Sequence, residues 1–158
     1  MRLNRKLILG AAAMLTAATA AFGGGQNASP EEKAVKARQA HMQLYGFSLG
    51  ILGAMAKGEM PYDQQLAQST ANDFAMLTKV IGFAYWPPGT TSDDMENSRA
   101  LAAAWENIDD VIAKSQALAQ AADAMAAAAG SVEGIQGAIG AVGGACGSCH
   151  KAYRAPNS

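Results

Sequence analysis

The placement of proline constrains the fold of this 158-residue chain more than any other feature of its sequence. Proline is tolerated in the first turn of a helix but breaks a helix interior. Every proline lies where a helical pattern starts or stops: Pro30, Pro61, Pro87, Pro88 and Pro156. Residues that favour strands are scarce, with 5 Val, 7 Ile and 6 Thr against 36 Ala, which argues against a β-sandwich or β-barrel. The sequence therefore predicts an all-α protein.

Two helices are indicated in the first half of the chain. The first begins at Ser29-Pro30-Glu31-Glu32, which combines an N-cap, a first-turn proline and a capping box, and it closes at Lys57-Gly58. One face of this helix repeats at spacings of three and four residues: Val35, Arg38, Met42, Tyr45, Leu49 and Leu52. The second helix follows Pro61-Tyr62-Asp63 and has its own stripe, which ends before the Trp86-Pro87-Pro88-Gly89 loop: Leu66, Thr70, Phe74, Leu77 and Ile81.

Two further helices are indicated in the second half. We expect the third to run from about Asn97 to Ala128 and to stop at Gly130. The fourth starts near Ser131 and carries the stripe Val132, Ile135, Ile139, Val142, Cys146, Cys149 and Tyr153. Four such helices joined by short loops predict an antiparallel up-down-up-down four-helix bundle.

The first 21 residues have the pattern of a secretory signal peptide. A positive segment with Arg2, Arg5 and Lys6 precedes an apolar run and the small residues Ala18-Thr19-Ala20. The apolar run is shorter than the roughly 20 residues that span a bilayer, so we expect no stable membrane insertion. The predicted organisation is a signal peptide at 1–21, a flexible N-terminus at 22–29 and a helical domain at 30–158. Removal of the signal lowers the formal net charge from −1 to −4.

The composition excludes several classes of function. The 12 basic and 13 acidic residues give no electrostatic footprint for nucleic acid. Only two cysteines are present, too few for a multi-bridge disulfide scaffold. We find no distal acid–base pair or other catalytic constellation, and so we expect no enzyme.

The pentapeptide Cys146-Gly147-Ser148-Cys149-His150 is the strongest chemical signal in the chain. Cys-x-x-Cys-His is the attachment signature of a c-type haem. Residues three and four apart share one face of a helix, so both thiols can reach the vinyl groups at one porphyrin edge. His150 follows at once and can present an imidazole nitrogen to the iron. Three alternatives remain open from the sequence: a thioredoxin-like dithiol, a zinc site whose fourth ligand is His41 or a carboxylate, and a structural disulfide.

The sequence resembles the class II cytochromes c, the cytochrome c-prime family. Members are four-helix bundles with a C-terminal Cys-x-x-Cys-His, followed by two residues, an aromatic residue and arginine; here the continuation is Lys151-Ala152-Tyr153-Arg154. The segment 56–63 is similar to the family's turn between its first two helices, and Arg38-Gln39 also matches. The resemblance covers roughly residues 30 to 155. It implies one haem c, held covalently through Cys146 and Cys149.

The sixth ligand of the iron decides between electron transfer and gas binding. In an antiparallel bundle the start of the first helix lies beside the end of the fourth, so Met42 is the candidate to face His150 across the porphyrin. The family places its distal residue here: a bulky apolar side chain in five-coordinate members, a ligating methionine in the low-spin branch. Arg38-Gln39-x-x-Met42 resembles that branch. The alternatives are Met42 as packing only, or His41 as the ligand, although we expect His41 to be solvated.

The other candidate haem contacts come from the same resemblance and from helix register. Arg38, with Gln39, is expected to pair with a haem propionate; the alternative is a charge at the helix surface. Arg154 lies four residues after His150 on the same helical face, and it would act on the proximal side or simply stabilise the last turn. Three aromatic residues are expected to pack near the porphyrin: Phe83, Trp86 and Tyr153.

These features together predict a periplasmic c-type cytochrome that transfers one electron through its haem iron. The alternative is a five-coordinate cytochrome c-prime that binds nitric oxide or carbon monoxide. Periplasmic redox proteins are the expected partners. Dimers that pair through the first two helices are common in the family, and the small residues of the first helix are compatible with such a contact.

Overall fold

The computed structural model describes residues 28–80 and 82–156. The predicted signal peptide, most of the predicted flexible N-terminus and Ile81 lie outside the described residues. Five α-helices are present in this part of the chain, together with a short 3-10 turn at Phe83–Tyr85: α1 Pro30–Lys57, α2 Gln64–Thr78, α3 Ala103–Glu106, α4 Ile108–Ala128 and α5 Val132–Tyr153. The one β-type pairing among the described residues is an antiparallel bridge between Ala100 and Arg154.

The bounds of α1 are those that the sequence predicts. The Ser29 hydroxyl accepts a hydrogen bond from the Glu32 amide at 3.1 Å, and the Glu32 carboxylate accepts one from the Ser29 amide at 2.8 Å. This reciprocal pair is the predicted capping box. At the other end Gly58 has φ +74°, the left-handed conformation in which glycine ends a helix without steric cost.

Side-chain caps also fix the starts of α2 and α5. The Asp63 carboxylate accepts a hydrogen bond from the Leu66 amide at 2.8 Å. The Ser131 hydroxyl accepts one from the Gly134 amide at 3.1 Å. Each cap satisfies an amide that has no partner within its helix. Both predicted starts are thus confirmed.

The prediction that the third helix begins near Asn97 is wrong. Residues 97–102 form no helix, α3 is a single turn, and Asn107 (φ −127°, ψ 49°) interrupts the helix before α4 begins. The segment bonds to distant parts of the chain instead: the Leu101 amide donates to the Tyr153 carbonyl at 3.0 Å, and the Ser98 hydroxyl donates to the Thr90 carbonyl at 2.7 Å. Tertiary partners replace the hydrogen bonds that a helix would supply.

The four long helices pack as the predicted all-α four-helix bundle. Helix α1 packs against α2 and α5, and α4 packs against the same two helices, so each long helix has two neighbours. The core between them is filled by fully buried side chains, of which the largest are Phe74, Leu52, Met55, Met125, Ile135 and Val142. Within the described residues no helix has an apolar stretch long enough to cross a membrane.

Candidate haem site

Cys146, Cys149 and His150 lie in the last two turns of α5. The helix continues without a break through the motif, so the two thiols stand one turn apart on one face, as the sequence predicts. Both thiols are half-buried and free, and Cys146 packs against the hydrophobic core. The disulfide alternative is therefore not the arrangement found here.

The surroundings of the cysteines also disfavour the other two alternatives. Burial raises the pKa of Cys146 and of Cys149 above the ordinary thiol value. A thioredoxin-like nucleophile requires the opposite shift. Among the described residues no three His, Cys, Asp or Glu side chains are grouped closely enough to hold a metal ion without further ligands. The donor set is thus two neutral thiols and an adjacent imidazole, which fits covalent attachment of a porphyrin.

The His150 imidazole is half-buried at the end of α5. Burial lowers the pKa of His150, and the nearby positive charges of Arg154 and Arg99 lower it further. A histidine with a lowered pKa is neutral at physiological pH. The neutral ring has a nitrogen lone pair available for a metal, which is the form that an iron ligand must take.

Met42 lies on α1, one turn after Arg38. Its side chain is 42% exposed, whereas Val35 and Leu52 of the same predicted stripe are fully buried. A methionine that only filled the core would be buried as they are. The side chain is therefore accessible from outside the protein core, as a distal ligand requires.

Arg38 is the most connected buried polar residue of the site. Only 7% of it is exposed, so the alternative of a charge at the helix surface is wrong. One terminal nitrogen donates to the Tyr85 carbonyl (3.2 Å) and the Thr90 hydroxyl (3.1 Å); the other donates to the Thr90 carbonyl (2.8 Å) and the Ser98 hydroxyl (2.9 Å). Burial lowers the pKa of Arg38.

The partners of Arg38 are all neutral. Its guanidinium also lies over the ring of Trp86 at 4.6 Å and near that of Trp105 at 5.8 Å. None of the ion pairs formed among the described residues involves Arg38. A buried cation without a carboxylate partner favours an anion at its side. The neighbouring Gln39 donates to the Asn97 carbonyl at 2.6 Å, so both residues contact the loop between α2 and α3.

These loop partners are the residues that sequence reasoning missed. Thr90 and Ser98 belong to no predicted helical stripe, and nothing in their spacing links them to Arg38. The only signal is the pair of small hydroxyl residues within a proline- and glycine-rich loop, which is typical of turns in general. Their role becomes visible only once the loop is folded against α1.

His41 differs from the solvated residue that we expected. Its Nε2 lies 3.0 Å from the Leu77 carbonyl, and its ring is 4.6 Å from that of Tyr45. The side chain is half-buried against the end of α2. This contact occupies one ring nitrogen of His41 and favours Met42 over His41 as the distal residue.

The three predicted aromatic contacts occupy different settings. Phe83 is 62% exposed in the short 3-10 turn. Trp86 packs edge-on against Trp105 at 5.6 Å between ring centroids. The Tyr153 hydroxyl donates to an Asp110 oxygen at 2.6 Å. Trp86 is thus joined to the Arg38 network, and Tyr153 joins the end of α5 that bears the motif to the start of α4.

The helical register predicted Arg154 on the same face as His150, and this prediction is wrong. Helix α5 ends at Tyr153, and Arg154 has an extended backbone (φ −118°, ψ 126°) that pairs with Ala100. The cause is the hydrogen bonding of this end of the chain to residues 99–101. Arg154 remains close enough to His150 to lower its pKa.

A four-helix bundle with a Cys-x-x-Cys-His motif at the end of its last helix is the architecture of a c-type haem protein. The family model described as Cytochrome C′ matches residues 33–154. Because this match spans most of the sequence, the chain belongs to the cytochrome c′ family.

Individual relatives agree with this assignment. A cytochrome c-554 of Cereibacter sphaeroides is 39% identical over 102 residues, which cover 65% of this chain and 77% of the relative. A solved cytochrome c′ from Rhodobacter sphaeroides is 40% identical, with a TM-score of 0.78 over 82% of this chain and all of the other. A cytochrome c′ from Alcaligenes xylosoxidans, solved as a variant with carbon monoxide bound, is 30% identical with a TM-score of 0.70, covering 82% of this chain and 98% of its own.

Members of this family bind one covalently attached haem c. The protein is therefore a haem protein of the cytochrome c′ and c-554 type, which acts in electron transfer or in gas binding. The free thiols and the neutral imidazole of α5 are consistent with that cofactor.

Proposed function

We propose that the protein is a periplasmic one-electron carrier. Cys146 and Cys149 hold its haem c, His150 is the proximal ligand of the iron and Met42 is the distal ligand. The observation that carries this proposal is the accessible side chain of Met42 on the helix that also bears the buried Arg38. When bound, the haem supplies a centre that gains and loses one electron. A thioether ligand opposite an imidazole raises the reduction potential of such a centre.

The protein residues prepare this centre in three ways. The uninterrupted helix presents both thiols on one face and fixes the imidazole next to them. Burial keeps His150 neutral, so no proton has to leave before it ligates iron. Met42 and His150 would be held on helices of a packed bundle, so they would move little when the iron gains or loses an electron, which suits electron transfer.

Arg38 has a separate part in the proposal. Its guanidinium is buried, surrounded by neutral acceptors and without a carboxylate partner in the described chain. A haem propionate would supply the missing negative charge, and the remaining donor capacity of Arg38 and the nearby Gln39 would orient it. The bonds of Arg38 to Thr90 and Ser98 hold the guanidinium in place for that contact.

Gas binding is the second candidate function. Met42 is 42% exposed, which is compatible with a side chain that yields to a small ligand. A related cytochrome c′ has been solved as a variant with carbon monoxide bound. For gas binding, Met42 would pack over the iron without coordinating it.

The proposal includes export of the protein and formation of a homodimer. Residues 1–21 act as the signal peptide, so the mature domain at 30–158 resides in the periplasm and exchanges electrons with redox proteins there. The outer faces of α1 and α2 expose large apolar side chains, which favours a homodimer through these helices: Leu44 (49%), Phe47 (69%) and Met76 (68%).

Visible absorption spectra of the haem-loaded protein test the proposal. We would record them oxidised, reduced, and reduced with carbon monoxide, for the unmodified protein, for Met42→Leu and for Met76→Leu. The control Met76 is an exposed methionine on α2. The electron-carrier proposal expects a low-spin spectrum that ignores carbon monoxide, and expects that Met42→Leu alone becomes high-spin and responsive to it. A high-spin unmodified protein that binds carbon monoxide would support gas binding.

A further inference from the structure

The segment Ser98–Leu101 lies between the site's two halves. Ser98 is 4% exposed, and its hydroxyl accepts a hydrogen bond from Arg38 of α1 at 2.9 Å. The same hydroxyl donates to the Thr90 carbonyl at 2.7 Å and accepts from the Ala100 amide at 3.3 Å. One buried hydroxyl thus connects α1, the loop after α2 and the segment itself.

The other edge of the segment holds the end of α5. The Leu101 amide donates to the Tyr153 carbonyl at 3.0 Å, and the Ala155 amide donates to the Arg99 carbonyl at 2.8 Å. The Arg99 side chain also donates to the Ala155 carbonyl, through Nε at 3.2 Å and through Nη2. His150 lies in this last turn, and its carbonyl accepts from the Arg154 amide at 3.1 Å.

The last turns of α5 need support from outside the helix. Gly144 and Gly147 flank Cys146, and glycine is the poorest helix former after proline. The ends of helices also fray when their last carbonyls lack partners. The Leu101 amide supplies such a partner to the Tyr153 carbonyl, and Arg99 bonds to Ala155 just beyond the helix. Residues 99–101 therefore hold the backbone next to the turn that carries His150.

We infer that Ser98 is a positioning residue: its buried hydroxyl locks the Ser98–Leu101 segment to Arg38, and the segment in turn fixes the end of α5 and the orientation of the His150 imidazole. The inference rests on the proposed function, because it assigns His150 as the proximal ligand. The Ser98–Leu101 segment thus connects α1, which bears Met42, with α5, which bears His150, through hydrogen bonds at both of its edges.

A second contact to the same turn is less suited to this task. The Tyr153 hydroxyl bonds to Asp110, but both groups are accessible to water, which competes for each of them. The bonds of Ser98 are shielded from water and are correspondingly costly to lose. Ser98 is therefore the better site for a test.

The test compares the haem-loaded, full-length protein with Ser98→Ala and with the control Thr78→Ala. Thr78 is 3% exposed, and within the part of the chain that the structure describes its hydroxyl donates to the Ala75 carbonyl of its own helix. Amide hydrogen exchange measures how firmly Leu101 and Ala155 are held. The electron paramagnetic resonance spectrum of the ferric protein reports the orientation of the axial imidazole.

In Ser98→Ala we expect exchange at Leu101 and Ala155 to be about tenfold faster, together with shifted g values. In Thr78→Ala we expect a lower melting temperature but unchanged exchange at these two amides and unchanged g values. Faster exchange with the g values of the unmodified protein would reduce Ser98 to a structural role and overturn the inference. Unchanged exchange in Ser98→Ala would overturn it as well.

Failure of the proposed function and failure of the positioning role of Ser98 give different results. If Ser98→Ala does not fold, Arg99→Lys keeps the positive charge near His150 but removes the guanidinium bonds to the Ala155 carbonyl, and it is judged by the same two measurements. If the unmodified protein carries no haem c ligated by His150, the proposed function fails. If it carries that haem and Ser98→Ala is indistinguishable from it, only the positioning role fails.

Discussion

The hydroxyl of Tyr153 donates a 2.6 Å hydrogen bond to a carboxylate oxygen of Asp110, which joins the last turn of α5 to the first turn of α4. The Lys114 ammonium lies 3.5 Å from the same oxygen. The bond to Tyr153 lowers the pKa of Asp110, with a smaller effect from Lys114, and it raises the pKa of Tyr153 to about 12. The bundle is thus closed at this end by a contact that depends on pH.

The pH dependence of this contact follows from the two shifts. Because the folded-state pKa of Asp110 is lowered, its contribution to stability is present above the unfolded-state pKa of about 3.9 and is lost as the pH falls through the folded-state pKa. The pKa of Tyr153 is raised, so its contribution is present below about pH 10 and is lost as the pH rises through about 12.

We expect Asp110→Asn to lower the melting temperature at neutral pH, and we expect this difference to disappear in strong acid. Circular dichroism melting curves across the acid range measure it. Asp109→Asn changes the same charge on the same turn and serves as the matched control. A difference that persists at the lowest pH would mean that the carboxylate is not its source.

Removal of the Arg38 side chain should destabilise the fold strongly. Arg38→Ala breaks four hydrogen bonds and takes the charged donor away from the buried oxygens of Thr90 and Ser98. We expect the free energy of unfolding in urea to fall by about 3 kcal/mol or more. The exposed neighbour Lys36→Ala should change it by no more than about 0.5 kcal/mol. Equal losses in the two variants would contradict a stabilising role for the buried network.

The two histidines should differ in their effect on the cofactor. His150→Ala removes the proposed proximal ligand, and we expect a much lower yield of protein with the native haem spectrum. His41→Ala removes the other histidine, whose ring nitrogen is near the Leu77 carbonyl, and should leave the spectrum unchanged. Haem content per chain and the visible spectrum measure both. Native spectra at full yield in His150→Ala would exclude it as the ligand.

The end of α1 offers a test of backbone conformation. Gly58 has φ +74°, so Gly58→Ala places a Cβ in the left-handed region and should cost about 1 kcal/mol in the free energy of unfolding. Gly137→Ala lies within α5, where an added Cβ meets no atom within 4 Å, and should stabilise by about 0.5–1 kcal/mol. Chemical unfolding of both variants gives the two values; the same sign for both would contradict this assignment.

Local signals explain which parts of the fold could be predicted. The starts of three long helices follow from Ser29, Asp63 and Ser131, because a cap acts within four residues of its own position. The face shared by Cys146 and Cys149 follows from helical spacing in the same way. Each of these features depends only on residues that are neighbours in the sequence.

The loop before α3 could not be predicted for the opposite reason. Residues 97–102 have no strong local preference, and their conformation is set by contacts with Arg38 and Tyr153. The hydrogen-bond partners of Arg38 were missed for the same reason, because an arginine on a helix face says nothing about a loop that folds over it. The predicted position of Arg154 was wrong because the backbone leaves the helix after Tyr153 and Arg154 pairs with Ala100.

The connections of Arg38 also have a consequence for the order of folding. They join residues 47, 52 and 60 positions apart, whereas α4 and α5 are linked by residues 129–131 alone. Loop-closure entropy therefore favours early formation of the α4–α5 hairpin and late docking of the Arg38 network. If so, Ser98→Ala accelerates unfolding and leaves the folding rate nearly unchanged in stopped-flow experiments. The two sides of the haem site would then meet only in the final step of folding.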